Sequence, residues 1–513
     1  MVTGSLQQLL QHPWLNKFSA HPSYSCVALR LLTCKVKATG QQEFGTMHPS
    51  RFQIFSLFDA VDVDINFLEN CGILVGPNGI GKSSVANIFY YFVSRQWSRL
   101  VDYRFDRIAL WFGDDAIEIG RDEITGLSRI ASVFDDLSPS SKTFDILSKL
   151  KSEDRLEEFL GDLVSSGRAM PNWRDYLSDD LSSDQFRHFM YSLRRRMEHD
   201  DDDFFSLPKR NVEAQLEKYM PGRTLFLPTY RRIEKDLREI SPKLRRKFRE
   251  DLSSDGELEL TRSSRYYIDL VSFGMNDVRK RLSGLANELR DFSLSKFNEL
   301  SGLYLKDVIR GQADDFNVEQ IRDLSDSALS KILGRVSEDI LSDNDKDLLR
   351  QKVTSIRSNT LDSISVHDRF LAHYFSRLVV VNEEISQKEG DILSFVETCN
   401  DYLLPRKQIV YDETTFSTAI FDQVSGPIDL SLLSSGEKQV ISVFAHLFLD
   451  KQEVQTVIID EPELSLSVPW QKRFLEDILK SNRCSFLLSV THSPFVYQNS
   501  LRHHALDLRK NMY

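Results

Sequence analysis

The segment Gly72-Ile-Leu-Val75-Gly76-Pro77-Asn78-Gly79-Ile80-Gly81-Lys82-Ser83-Ser84 carries the strongest pattern in the chain. Gly72 to Val75 is a short continuous apolar run, as in a strand buried on both faces. Gly76 to Ser83 then match the phosphate-loop pattern GxxxxGK[ST], and a helical pattern, Val85 to Phe92, follows. Each part has a physical task. The glycines let backbone N–H groups close around phosphate oxygens, and the helix presents its positive end to them. Lys82 adds a point charge at the β and γ phosphates. The Ser83 hydroxyl is a candidate Mg²⁺ ligand. Ser84 is grouped with these nucleotide-binding candidates.

Upstream, Phe52 to Phe58 and Val61 to Phe67 alternate apolar and polar residues, which predicts two half-buried strands. Downstream, Ile108 to Phe112 and Ala116 to Ile119 flank Gly113-Asp114-Asp115, a hairpin pattern. Val454 to Ile459 and Phe486 to Val490 read as buried strands. Trp470, Phe474, Leu475, Ile478 and Leu479 mark one helix face between them.

The second strand of chemistry is Val457-Ile-Ile-Asp460-Glu461-Pro462. An apolar run ending in Asp-Glu describes a Walker-B strand, with Asp460 as a candidate Mg²⁺ ligand and Glu461 as the group that polarises the attacking water. Leu433-Ser434-Ser435-Gly436-Glu437-Lys438 lies just upstream, with room for one helix before the strand. Ser434 to Gly436 offer free N–H groups at a helix start for a γ-phosphate, and Ser-Ser-Gly-Glu is also good capping chemistry. Thr491-His492-Ser493-Pro494 follows the next strand and makes His492 a candidate γ-phosphate sensor.

The rest of the chain bounds these readings. Of its 513 residues 41% are apolar and 27% charged, the balance of a packed protein rather than a disordered one. A net charge of −11 excludes a generally basic nucleic-acid coat, though not a local basic groove. Cys26, Cys34, Cys71, Cys399 and Cys484 form no CxxC pair, which gives zinc ribbons and redox dithiols no support and fits a reducing cytoplasm. No apolar run approaches the ~20 residues that span a bilayer, and the N-terminus lacks a secretory pattern.

Together the motifs resemble those of the compact ABC-type ATPases related to RecF, SMC proteins and the OLD family, particularly stand-alone bacterial members that serve in anti-phage defence, as in Septu-like and PARIS-like systems. The resemblance covers roughly residues 51–125, 223–233 and 405–500. It implies an α/β ABC-type head, with a mixed sheet, an antiparallel β subdomain and a large helical insertion forming a short arm. Glu463-Leu-Ser-Leu466 takes the place of the family's D-loop, and Ser434, Ser435, Gly436 and Glu437 that of its signature. In that family the signature meets the nucleotide of the opposite subunit, so a homodimer or larger homo-oligomer with ATP and Mg²⁺ is implied, hydrolysing ATP to ADP and phosphate. Ser467-Val468-Pro469 departs from the histidine usual after the D-loop, and no glutamine is assigned as the Q-loop.

The domain reading follows. Residues 1–50 form an N-terminal extension and 51–135 the lobe with the phosphate loop. Residues 136–222 are a helical insertion, 223–235 a return strand and 236–404 a helical arm. Residues 405–513 hold the signature, Walker B and switch histidine. Val278, Leu282, Leu285, Leu289 and Phe292 space as a short coiled-coil seam in the arm. The acidic run Asp200 to Asp203 reads as a solvated loop. The expected function is a sensor or regulator of a separate nuclease or toxin effector, with no membrane partner. The alternative is a RecF- or SMC-like DNA-repair ATPase. DNA then meets basic patches such as Lys243 to Arg249, Arg279-Lys280-Arg281 or Arg231-Arg232; a charged helix face balanced by Glu250, Asp251 and Asp277 is the competing account. An OLD-type enzyme with its own nuclease is disfavoured, because few residues follow His492.

Overall fold

A computed structural model describes residues 48–135, 141–152, 170–197 except 179, and 212–228. It also describes 261–270 except 264 and 265, 275–311, 321, 324–336, 341–358, 365–450 and 454–513, with isolated positions within 155–163. The expected N-terminal extension up to residue 47, Asp200 to Asp203, Arg231, Arg232 and Lys243 to Arg249 lie outside them.

The first strands follow the alternation that predicted them. β1 (Arg51–Leu57) and β2 (Val61–Asn66) pair antiparallel, burying Phe52, Ile54, Val63 and Ile65. β3 (Cys71–Val75) is the apolar run before the phosphate loop, and α1 (Lys82–Val93) is the helix after it. β4 (Arg107–Phe112) and β5 (Asp115–Gly120) make the expected hairpin, with Gly113 at φ 62, the left-handed conformation a tight two-residue turn demands. These outer strands form an antiparallel sheet in the order β2-β1-β4-β5.

The central sheet adds β6 (Arg223–Leu227), β7 (Thr261–Ser263) and β8 (Tyr267–Leu270). It also takes β12 (Val454–Asp460), β13 (Phe486–Val490) and β14 (Ala505–Asp507) from the C-terminal part. Its order is β14-β3-β13-β12-β6-β8-β7, all parallel except the β7–β8 pair. Successive side chains of a strand point to opposite faces. Ile458, Leu488 and Val490 therefore join the core under α1, with Val85 and Phe89. Val457, Ile459 and Leu487 join the opposite core, with Phe444 of α8 (Ser435–Leu449) and Phe474 of α9 (Val468–Lys480). The fold is thus α/β, with mixed parallel and antiparallel sheets.

Between the two halves lie α2 (Arg121–Asp135), α3 (Lys142–Ser152) and α4 (Ser183–Met197), followed by α5 (Met275–Ile309), α6 (Val366–Lys388) and α7 (Gly390–Leu403). α5 has 35 residues, about 50 Å of helix. Its expected seam is partly realised: Val278, Leu282 and Leu289 are buried, while Leu285 and Phe292 are half-buried. Leu289 shares a core with Phe375, Leu378 and Ile385 of the returning α6. An antiparallel meander of β9 (Lys407–Asp412), β10 (Ser417–Asp422) and β11 (Gly426–Ile428) lies between the arm and the signature.

One feature differs from the sequence reading, and a second bears on its two accounts of the Arg279-Lys280-Arg281 patch. The stretch assigned wholly to a helical arm, 236–404, also contributes β7 and β8. β8 gains main-chain bonds from β6, and Ile268 is buried against Leu225 and Leu227 in one core. Three or four residues are too short for their alternation to show. Second, Arg279 and Arg281 are engaged within the chain. Arg279 donates to both carboxylate oxygens of Asp429, at 2.8 and 2.7 Å, and Arg281 pairs with Asp450. No described helix is long and apolar enough to cross a membrane.

Phe89 is fully buried and meets Phe52, Phe67 and Phe486 at centroid distances of 5.1, 6.1 and 5.7 Å. Phe89→Ala should lower unfolding stability by about 3–5 kcal/mol, read as a shift in the urea midpoint.

Candidate nucleotide-binding site

Parallel strands place their functional turns at one end, and ligands of open α/β sheets bind outside the carboxyl ends of the strands. β13 lies between β3 and β12. The turn after β13, which carries His492, therefore falls between the phosphate loop after β3 and Asp460 at the tip of β12. The register makes this concrete: Val490 stands opposite Leu74 on one side and Asp460 on the other.

Within the loop, Pro77, Asn78 and Gly79 are exposed, and Gly76, Ile80, Gly81, Ser83 and Ser84 are half-buried. Gly79 and Gly81 have φ of 82 and 98°, which L side chains rarely adopt, and Gly81 is the N-cap of α1. The Lys82 ammonium folds back on the loop and donates to the carbonyls of Gly76, at 2.8 Å, and Pro77, at 2.9 Å. Burial holds its pKa below the ordinary lysine value; Asp460, Glu461 and Glu463 act in the opposite sense. Ser83 Oγ donates to Asp460 Oδ1 at 3.1 Å, so the two candidate cation ligands are already in contact. A hydroxyl and a buried carboxylate are hard oxygen donors, the set that suits Mg²⁺. Glu461 follows at φ 57°, its N–H held by the Val490 carbonyl at 2.8 Å.

His492 is exposed, but its backbone is not free to wander. Glu463 Oε1 accepts from the N–H groups of His492 and Ser493, at 2.8 and 3.1 Å, and Oε2 accepts from Thr491 Oγ1 at 2.8 Å. Gln471 of α9 closes the same network: it accepts from Ser493 Oγ at 2.8 Å and donates to the Leu466 carbonyl at 2.9 Å. The sequence reading treated Glu463 only as the start of the D-loop and passed over Gln471. The Asp-Glu-Pro-Glu repeat of acids was the one visible hint.

The signature region is built as a helix start. Ser434 caps α8 in a capping box with Glu437: Glu437 N donates to Ser434 Oγ at 3.4 Å, and Ser434 N to Glu437 Oε2 at 2.7 Å. Lys407 also donates to Glu437 Oε2, at 2.8 Å. Burial opposes ionisation of Glu437, but Lys407 and Ser434 together hold its pKa below the ordinary glutamate value. Its carboxylate is thus committed within the chain, whereas Ser434 and Ser435 are exposed. Gly436 is buried: a Cβ there would stand 2.3 Å from the Ser465 carbonyl oxygen, so the signature backbone abuts the D-loop of its own chain. Among the described residues no hydrogen bond joins Ser434–Gly436 to Gly76–Ser84.

The arm grips this helix near both ends. Arg279 of α5 holds Asp429, just before the signature, and Arg281 holds Asp450 at the C-cap of α8. His446 adds a contact to Asp450 at 3.1 Å. Burial, with Arg281 and Arg223 adding, pushes its pKa down to about 3, so the neutral ring donates through Nδ1.

The family model described as "AAA domain, putative AbiEii toxin, Type IV TA system" matches residues 73–497. None of the curated proteins matches the chain. Among solved structures, the Smc head domain of Pyrococcus furiosus, with an extended coiled coil and bound to the C-terminal domain of ScpA, is 11% identical. That match covers 90% of this chain and 94% of the other, with a TM-score of 0.31. The Smc head domain of Pyrococcus yayanosii, with a coiled coil and joint, is 14% identical, with coverages of 88% and 93% and a TM-score of 0.29. Likeness at those scores carries no functional inference.

Glu463→Ala should speed deuterium exchange at the His492 and Ser493 amides by roughly tenfold or more, the scale of about 1.5–3 kcal/mol lost with bonds to a charged acceptor. Glu463→Gln, which keeps an acceptor oxygen, should retain most of the protection. Unchanged exchange in the alanine variant would show that Glu463 does not hold the loop.

Proposed function

The chain belongs to this family of P-loop ATPases with an AAA domain, and we propose that it binds and hydrolyses ATP in a composite site shared by two copies, thereby controlling a separate effector. The observation that carries the reading is the Ser83–Asp460 contact at 3.1 Å, beneath a lysine already folded onto the loop carbonyls.

On entry of ATP, the backbone of Gly76 to Ser83 receives the phosphates, and Lys82 exchanges its two carbonyl partners for phosphate oxygens. Ser83 and Asp460 would hold a Mg²⁺ ion, whose charge would offset that of the phosphates. Glu461, at the strand tip, orients and polarises the attacking water. His492, on its clamped turn, meets the γ-phosphate and holds it while the bond to ADP breaks. Ser434, Ser435 and Gly436 of a second copy complete the site with helix N–H groups. The exposed Ser434 and Ser435, and the exposed apolar side chains of Leu432, Leu464, Val468 and Phe495 in the turns and helix starts around the candidate site, support a second copy as their cover. Closure of two copies moves α8, and the bonds of Arg279 and Arg281 carry that movement into the arm. ATP then shifts the arm between two states only to the extent that it prefers one of them.

The arm and insertion are the parts an ATP site does not need, and they form the natural surface for a nuclease or toxin effector in anti-phage defence. A RecF- or SMC-like role on DNA in repair is the second reading. It loses support at Arg279 and Arg281, whose charges are neutralised within the chain.

Lys82→Ala should weaken ATP binding by roughly 10- to 100-fold, because the lysine acts on the ground-state phosphates. Glu461→Gln should bind ATP normally while turnover falls by roughly 10²- to 10⁴-fold, since its partner is the water. Sedimentation of Glu461→Gln with ATP and Mg²⁺ should show a species larger than the nucleotide-free protein; a monomer under every condition refutes the composite site. The effector reading is checked with the purified chain alone, given duplex DNA, single-stranded DNA or tRNA with ATP and Mg²⁺ or Mn²⁺. No cleavage is expected. Cleavage that co-purifies and survives Glu461→Gln, or growth arrest on expression of this chain alone, overturns it.

A further inference from the structure

At the opposite end of the central sheet from the phosphate loop, three metal-ligating side chains converge. Glu69 lies in the turn before β3, and His503 and His504 form the turn before β14. β14 runs parallel to β3, with Ala505 opposite Ile73, so both turns fall at the N-terminal ends of their strands. One ligand atom from each of the three residues lies within 4.8 Å of the others, and the two imidazole centroids are 4.1 Å apart.

We propose that Glu69, His503 and His504 form a site for a divalent cation of the zinc class, which ties the edge strand β14 to the strand that feeds the phosphate loop. The donor chemistry selects the class: two imidazoles and one carboxylate suit Zn²⁺ and its neighbours, whereas Mg²⁺ takes oxygen sets such as Ser83 and Asp460. His504 is prepared for the role. It is 4% exposed, and its Nδ1 donates to the Leu68 carbonyl at 2.9 Å. A backbone carbonyl behind an imidazole is the usual outer contact that orients a ligating histidine, and it leaves the neutral ring's lone pair on Nε2. The same turn presents Glu69 at φ 54°. Ligand atoms of a tetrahedral zinc, ~2.0–2.1 Å from the ion, stand roughly 3.3 Å apart. Rotation of the exposed Glu69 and His503 side chains supplies the remaining approach, and water takes the fourth position.

The mechanical consequence is specific. β14 has three residues and sits at the sheet edge, yet its Asp507 reaches Gly76, where a Cβ would lie 3.7 Å from Oδ1. A cation at the other end of β14 pins an edge strand that borders the phosphate loop.

The test uses the full chain, stripped with EDTA and titrated with ZnCl₂ by calorimetry without nucleotide. Wild type should bind one equivalent more, at the tightest class of site, than His503→Ala or Glu69→Gln. Those residues are exposed, so their removal opens no core cavity. Where the site is weakened rather than lost, its affinity should fall at least about tenfold. Asp460→Asn should leave this equivalent in place, which separates the site from the nucleotide-binding one. ZnCl₂ should also raise the thermal midpoint of wild type and not that of His503→Ala. Equal isotherms for wild type and both exposed variants, or no zinc uptake by wild type, overturn the proposal.

Discussion

Everything at the proposed nucleotide site depends on one contact, the hydrogen bond from Ser83 to Asp460. Its partners lie 377 residues apart in sequence. They meet because β13 slots between β3 and β12, which carries the two turns to the same edge of the sheet. The cores on the two sides hold that order in place. Ile458 and Leu488 are buried with Phe89 on one face, and Val457 and Leu487 with Phe444 on the other. A slip of one residue in β12 would exchange those faces and remove Asp460 from the tip. Hydrophobic burial on both sides therefore sets a polar geometry that the carboxylate and hydroxyl could not enforce alone.

Around that contact the loops are joined in series. Glu463 bonds the switch turn, Gln471 bonds both that turn and the D-loop, and the D-loop touches the signature where Ser465 meets Gly436. From the signature helix, Arg279 and Arg281 lead into the arm. Each link is a hydrogen bond, an ion pair or a backbone contact with little slack. The series runs from the turn after β13 to a helix about 50 Å long. The carboxylate of Glu437 illustrates the division of labour: capping and Lys407 occupy it, leaving helix N–H groups and the exposed serines beside them as the signature's outward chemistry.

Charge is distributed to the same end. A chain of net charge −11 pairs its arm-root arginines with acids of the head, Arg279 at the surface with Asp429 and Arg281, more deeply set, with Asp450. The paired arginines act as fasteners between arm and head.

The phosphate-loop pattern between β3 and α1, the strand ending in Asp460-Glu461 and the helix start capped by Ser434 were legible because they are local. A glycine at positive φ, a lysine at a helix start and an apolar run ending in Asp-Glu each state their requirement within a few residues. The hairpin at Gly113 and the stretch of α5 from Val278 to Phe292 were legible for the same reason, through period and turn chemistry, while the continuation of α5 to Ile309 was not. What only the tertiary structure decided are the pairings between distant segments. β8 became a sheet strand because β6 offered it an edge, and its four residues could not announce that. Glu463 became the clamp of the switch turn because β12 and β13 are neighbours, and Arg279 found Asp429, 150 residues away, because α5 packs beside the signature. Local sequence determines which conformations and chemistries a segment has available; burial and sheet order, which depend on the whole chain, determine which of them meet.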